Sequence, residues 1–156
     1  MMEFQMNCMV RVTWAAGLCV SSVASVLAGP VEEAMEADRA FSRLAQEKGV
    51  AEAFASFVAP DGIRFVPGGQ QRGPEAIRSA MSKDFEDGGK LVWDPVEGSA
   101  SADGSQVVTW GRWSYTAAGQ RDASSHGTYV TVWVRQKDGS WKWSHDIGNS
   151  DPRSKP

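Results

Sequence analysis

Between residues 104 and 149 the chain carries five of its seven tryptophans, both tyrosines and both histidines. They fall in three β-rich runs, 107–115, 127–136 and 140–147, each bounded by turn chemistry and each long enough for one strand. Lys137-Asp138-Gly139 is a tight hairpin signal between the last two. Such a segment predicts an antiparallel sheet with a bulky aromatic side, and the rest of the chain must supply what covers that side.

The cover is readable upstream. Ala34, Ala37, Phe41, Leu44, Ala45 and Lys48 recur at steps of three and four, which predicts an amphipathic helix over 31–48 that Gly49 ends. Asp38 lies inside that apolar stripe, about 40° from Ala34 at 100° per residue. A carboxylate there must be paired, hydrogen-bonded or set in a wet cavity, since burying it bare costs several kcal/mol. A second helix is expected over 50–58, with Val50, Phe54, Phe57 and Val58 on one face, then a strand at 63–66 with Ile63 and Phe65 on one face. Pro67-Gly68-Gly69 is read as a turn, Pro74 opens a third helix to Lys83, and Pro95 marks the strand at 91–100 as an edge or a bulge. The expected order is α-α-β-α-β-β-β-β.

Strand periodicity assigns faces. Trp141, Trp143 and His145 alternate with Lys142 and Ser144, so His145 is expected to point toward the helices unless a bulge intervenes. In the preceding strand Tyr129, Thr131 and Trp133 oppose Val130, Val132 and Val134, and a strand apolar on both sides is covered on both sides. Helices cover one face of a curved sheet; the other predicts a homodimer packed through the sheet. Trp110 and Trp113, on opposite faces of their strand, agree with that.

The first 28 residues have a different character. An uncharged, apolar and small-residue run follows Arg11 and ends in Val26-Leu27-Ala28, which predicts a secretory signal cleaved after Ala28, with a retained anchor as the alternative. Met9, directly before Val10-Arg11, makes a tidier start for it than Met1. Cys8 and Cys19 both lie in that segment, so the mature chain is expected to be periplasmic or secreted, without disulfide, thiol nucleophile or thiolate metal site. A net charge of −3 and a pI near 5.4 argue against a nucleic-acid partner. Residues 31–150 are read as one domain, 151–156 as a flexible tail, with no membrane contact once the signal is gone.

Three helices followed by such a sheet, together with particular residues, resemble the nuclear transport factor two-like superfamily. The residues are Ala37-Asp38-Arg39-Ala40-Phe41, Arg72-Gly73-Pro74-Glu75-Ala76-Ile77-Arg78, Gly127-Thr128-Tyr129-Val130-Thr131-Val132-Trp133, and Asp138-Gly139-Ser140-Trp141-Lys142-Trp143 leading into Asp146-Ile147-Gly148-Asn149. The chain looks most like its SnoaL-like, ketosteroid-isomerase-like branch, much of it a domain of unknown function. The resemblance implies an α+β, cystatin-like fold, a cone-shaped curved antiparallel sheet wrapped around N-terminal helices, with an open pocket between them. It implies acid–base candidates at Asp38, His145 and Asp146, with His126 on the adjacent strand. Phe41, Phe54, Trp110, Tyr129 and Trp143 are the candidate lining. The tyrosine on a helix that ketosteroid isomerase needs is missing, so its steroid chemistry does not carry over. Two histidines and scattered carboxylates lack metal-ligand spacing, and neither metal nor cofactor is expected. Three functions compete: binding of a small, apolar or aromatic molecule; a cofactor-independent lyase, isomerase or hydrolase; and a non-catalytic dimeric module whose cone is filled by its own side chains.

Overall fold

Helix α1, Pro30–Lys48, starts where Pro30 presets the first helical turn and Glu32 and Glu33 meet the helix dipole, and it stops at Gly49, whose φ of 91° no other residue adopts readily. Helix α2, Val50–Phe57, follows immediately. The computed structural model describes residues 28–151; the expected signal up to residue 27, with Cys8 and Cys19, and nearly all of the expected tail lie outside them. No described helix is long and apolar enough to cross a membrane.

Strand β1, Val58–Val66, turns through Gly68 into β2, Gly69–Arg72, a short strand where the sequence suggested only a turn. Helix α3, Pro74–Asp84, again has proline in its first turn and buries Ile77 and Met81. Four long strands complete the chain: β3 Lys90–Ala100, β4 Gln106–Thr116, β5 Ser125–Arg135 and β6 Trp141–Ser150. They form one sheet in the order β2-β1-β6-β5-β4-β3, antiparallel except where β1 runs parallel to β6. Pro95 sits on edge strand β3, where the register against β4 slips between Pro95 and Glu97.

The core is an aromatic cluster between α1, α2 and the concave face. Phe41 is its hub, edge-on to Trp93 at 4.5 Å and to Phe54 at 4.7 Å, and stacked on Phe57 at 5.2 Å. Trp133 and Trp143 are fully buried beside it. Each such ring contributes roughly 2–3 kcal/mol by leaving water, enough to hold a small domain with no cross-links among its described residues.

The convex face is different. Val92, Val96, Val108, Trp110, Val130 and Ile147 are all exposed there, spread across neighbouring strands.

Candidate functional site

Alternation along β4 and β5 turns Val107, Thr109, Gly111 and Trp113 of one strand, and Gly127, Tyr129, Thr131 and Trp133 of the other, toward the helices. Two of these are glycines for a steric reason. A Cβ on Gly111 would lie 2.6 Å from the Tyr129 ring, and one on Gly127 would lie 2.5 Å from the Trp113 ring. Each glycine lets an aromatic side chain lie flat across the neighbouring strand.

The result is a cavity of about 260 Å³, a little below the roughly 300–1,000 Å³ usual for small-molecule sites. Phe41 and Phe54 come from the helices, Trp93, Trp113, Tyr115 and Tyr129 from the sheet, and Phe65, Pro67 and Phe85 from around β1 and the end of α3. Four polar side chains join them: Arg64, Ser125, Thr131 and Asp146. The cone is therefore not plugged by its own indoles.

Asp146 is on the cavity wall, 9% exposed, and Thr131 Oγ1 donates to its Oδ2 at 2.8 Å. Burial pushes its carboxyl up to about 6, against the smaller opposing pull of Thr131 and Arg64. It reaches the cavity because of a bulge. Trp133 pairs with Trp143 but Val132 pairs with His145, so Ser144 is an extra residue and every later side chain changes face. Its hydroxyl donates to Val132 O at 3.3 Å.

That same bulge overturns the expected direction of His145. It lies exposed on the convex side, stacked on Phe65 with ring centroids 6.1 Å apart. His126 is exposed there too, on a second and larger hollow of about 740 Å³ that it borders with Arg112, Thr128 and Asn149 and that shares Trp93 and Trp113 with the first. Neither histidine borders this cavity, and His145 and Asp38, both acid–base candidates, are not brought together.

Asp38 takes the hydrogen-bonded alternative, away from the pocket where the resemblance implies an acid–base group. It is wholly buried, and it does not line the cavity. Three donors satisfy its carboxylate: Trp93 Nε1 at 3.0 Å, Thr109 Oγ1 at 2.7 Å and Tyr129 Oη at 3.1 Å. Trp133 Nε1 in turn donates to Thr109 Oγ1 at 3.1 Å. Burial nevertheless outweighs these bonds and raises the carboxyl to about 6. The Tyr129 phenol, buried and facing that carboxylate, is pushed up and stays protonated as a donor. Asp38 thus acts behind the wall, fixing two rings that form it.

Of the expected lining, Phe41, Phe54 and Tyr129 border the cavity. Trp110 does not: alternation sends it to the convex face, 36% exposed, where Glu97 accepts from its Nε1 at 3.4 Å. Trp143 is sealed in the core instead, and its Nε1 has no hydrogen-bond partner. The sequence reading missed Arg64, Trp93, Thr109, Trp113 and Thr131. Three had a signal: two threonines at inward positions of apolar strands and a tryptophan inward on β3. Among the described residues no group of three or more His, Cys, Asp or Glu side chains is placed to hold a metal.

Residues 38–143 match the model of the SnoaL-like domain, which covers most of the chain from α1 to β6. The chain belongs to the SnoaL-like domain family. This SnoaL-like chain shares its fold with a domain of unknown function from Nostoc punctiforme, described as cystatin-like: TM-score 0.64, 19% identity, over 76% of this chain and 78% of that one. It is similar also to a protein from Catenulispora acidiphila in complex with S-DNPA, at TM-score 0.62 and 20% identity, covering 78% and 93% of the two chains. A third similar structure is a putative aromatic ring hydroxylase from Novosphingobium aromaticivorans, at TM-score 0.58 and 13% identity, covering 78% and 93%. No curated protein matches the SnoaL-like chain by sequence. At such identities the structures speak for the fold alone.

Proposed function

We propose that this is an exported, single-domain protein whose cavity takes up a small apolar or aromatic molecule. The observation that carries the reading is an open hollow walled by aromatic rings into which one buried carboxylate, Asp146, projects. Such a site buries a flat ring by the hydrophobic effect and orients it through one polar contact. The Catenulispora acidiphila protein, solved with S-DNPA, is a relative of this fold with a bound small molecule. Thermal shift with one- to three-ring apolar compounds tests the reading: a specific guest raises Tm with concentration, by about 2.7 kcal/mol of added stability at a hundredfold excess over Kd. A panel that leaves Tm unmoved sinks it. Export into the periplasm or medium rests on the N-terminal sequence, and the mass of the mature chain from a secreting host checks it.

The exposed apolar side chains on β3 to β6 support a homodimer closed through the convex face. Light scattering should give twice the chain mass, and Trp110→Lys combined with Val130→Lys should halve it while leaving the circular dichroism unchanged.

A second reading has a specific observation behind it. A carboxyl raised to about 6 in an apolar hollow is tuned for proton transfer near neutrality, which suits a cofactor-independent lyase, isomerase or hydrolase with Asp146 as its acid or base. Turnover lost in Asp146→Asn while ligand affinity persists would favour it.

A further inference from the structure

The polar groups of the cavity are unequally engaged. Arg64 donates to Gln71 Oε1 at 2.9 Å, lies 3.6 Å from Asp84 Oδ2, and rests over the Phe54 ring at 5.7 Å. Asp146 is the register partner of Arg64 across the parallel β1–β6 pair, yet no ion pair within 4 Å joins the two. Among the described residues Thr131 alone donates to the Asp146 carboxylate, at Oδ2, which leaves Oδ1 for a guest. Of the lining residues Arg64 and Asp146 carry charge; Arg64 is engaged from outside the cavity by the half-exposed Asp84, so at neutral pH the charge left for a guest is that of Asp146, which attracts donors and cations and opposes anions. The walls agree: aromatic faces present negative potential, which favours a cation and does nothing for a carboxylate.

We propose that the guest is an aromatic alcohol or amine that gives its O–H or N–H to Asp146 Oδ1, and that aromatic carboxylates are rejected. The inference rests on the binding reading above and adds the chemistry of the guest. A neutral hydroxyl and an ammonium share the donor that Asp146 requires; the ammonium adds the attraction of opposite charge. An anionic guest would bring a second carboxylate beside one already short of water, and one of the two would have to take up a proton before both fit. A hydrogen bond to a charged acceptor is worth about tenfold or more in affinity over the same ring without it.

Four probes on one frame decide the matter on the full mature chain by calorimetry at pH 7.5: naphthalene, 2-naphthol, 2-naphthylmethylamine and 2-naphthoate. Naphthol and the amine should each bind at least about tenfold more tightly than naphthalene, and naphthoate more weakly than either. The stronger of the two donor probes tells whether the natural guest is a neutral alcohol or a cation. Lowering the pH to 5 should weaken the amine and strengthen naphthoate, a comparison that needs only the native protein. Asp146→Asn should remove most of the amine's advantage and spare more of the naphthol's, because the amide still offers an oxygen. Equal binding of naphthalene and naphthol, or naphthoate as the best probe, overturns the guest chemistry while leaving a binding site. Silence from all four and from the wider apolar panel removes the binding reading, and this inference with it.

Discussion

Two buried carboxylates lie in one aromatic interior, and they are set in opposite ways. Asp38 takes hydrogen bonds from three side chains on three strands and has no contact with the cavity; Asp146 takes one and borders open space. Burial raises both to about 6, so desolvation does not tell them apart. What separates them is spare capacity. A carboxylate with its lone pairs filled by Trp93, Thr109 and Tyr129 is a structural node, whereas one with an unfilled oxygen facing a hollow is equipped to meet something from outside.

The sharpest way to break this contrast is to delete Asp38. Asp38→Ala leaves the Trp93 and Tyr129 donors and the Thr109 hydroxyl in a dry pocket without their common acceptor, and should lose about 3–5 kcal/mol in urea unfolding at pH 4.5. It should also weaken every guest, because Trp93 and Tyr129 lose what fixes their rings. A loss below about 1 kcal/mol would mean that the network is ornamental.

The next effect is a pH dependence with a definite sign. Both carboxyls bind protons more tightly folded than unfolded, so their stabilisation is full below about pH 3.8 and is lost as pH rises through about 6. A shift of that size corresponds to roughly 3 kcal/mol for each carboxyl. Stability should therefore fall between about pH 4 and pH 7, and Asp38→Asn and Asp146→Asn should each flatten part of the slope. Asp103, held down to about 2 by the Ser101 and Ser105 hydroxyls and the Ser105 amide, acts in the opposite direction, but only as pH falls below about 4. Urea titrations at half-unit intervals separate the two windows. A stability that climbs steadily from pH 4 to pH 7 contradicts the assignment.

Much of this arrangement is visible in the residues before any coordinates. The helix period makes Asp38 an inward acid, and β alternation places Tyr129, Thr131 and Trp133 together. The family resemblance anticipates the cone. What stays hidden is a single extra residue. Trp141, Lys142, Trp143, Ser144 and His145 alternate without a fault, and nothing in that pattern says that Ser144 leaves the ladder. One slip exchanges the two candidates: the histidine goes out and the next residue, Asp146, goes in. Bulges are set by pairing with the neighbouring strand, here by Trp133 opposite Trp143, and pairing is not a local property. Arg64 was missed for a related reason, since a register shift between Val58 and Ile63 rotates β1 on its way to the cavity. The two glycines that seat Tyr129 and Trp113 were legible only as weak points in strands; which ring each accommodates depends on the strand beside it.

The smallest expected effect on stability is at Asp146, and its smallness is the point. At pH 4.5 the group is largely protonated, and Asp146→Ala removes little beyond the bond from Thr131, whose hydroxyl then meets water entering through the open cavity. The loss should be about 1 kcal/mol or less. At pH 8 the same substitution removes a charge held short of water, so the variant should match or exceed the native protein in urea. Affinity for hydroxyl- or amine-bearing guests should meanwhile drop at both pH values, more at pH 8 where the acceptor was ionised. Asp38→Ala damages fold and site together, whereas Asp146→Ala spares the fold and disarms the site. If deleting Asp146 unfolds the protein as badly as deleting Asp38, the carboxylate on the cavity wall is one more structural node, and the difference drawn between the two acids fails.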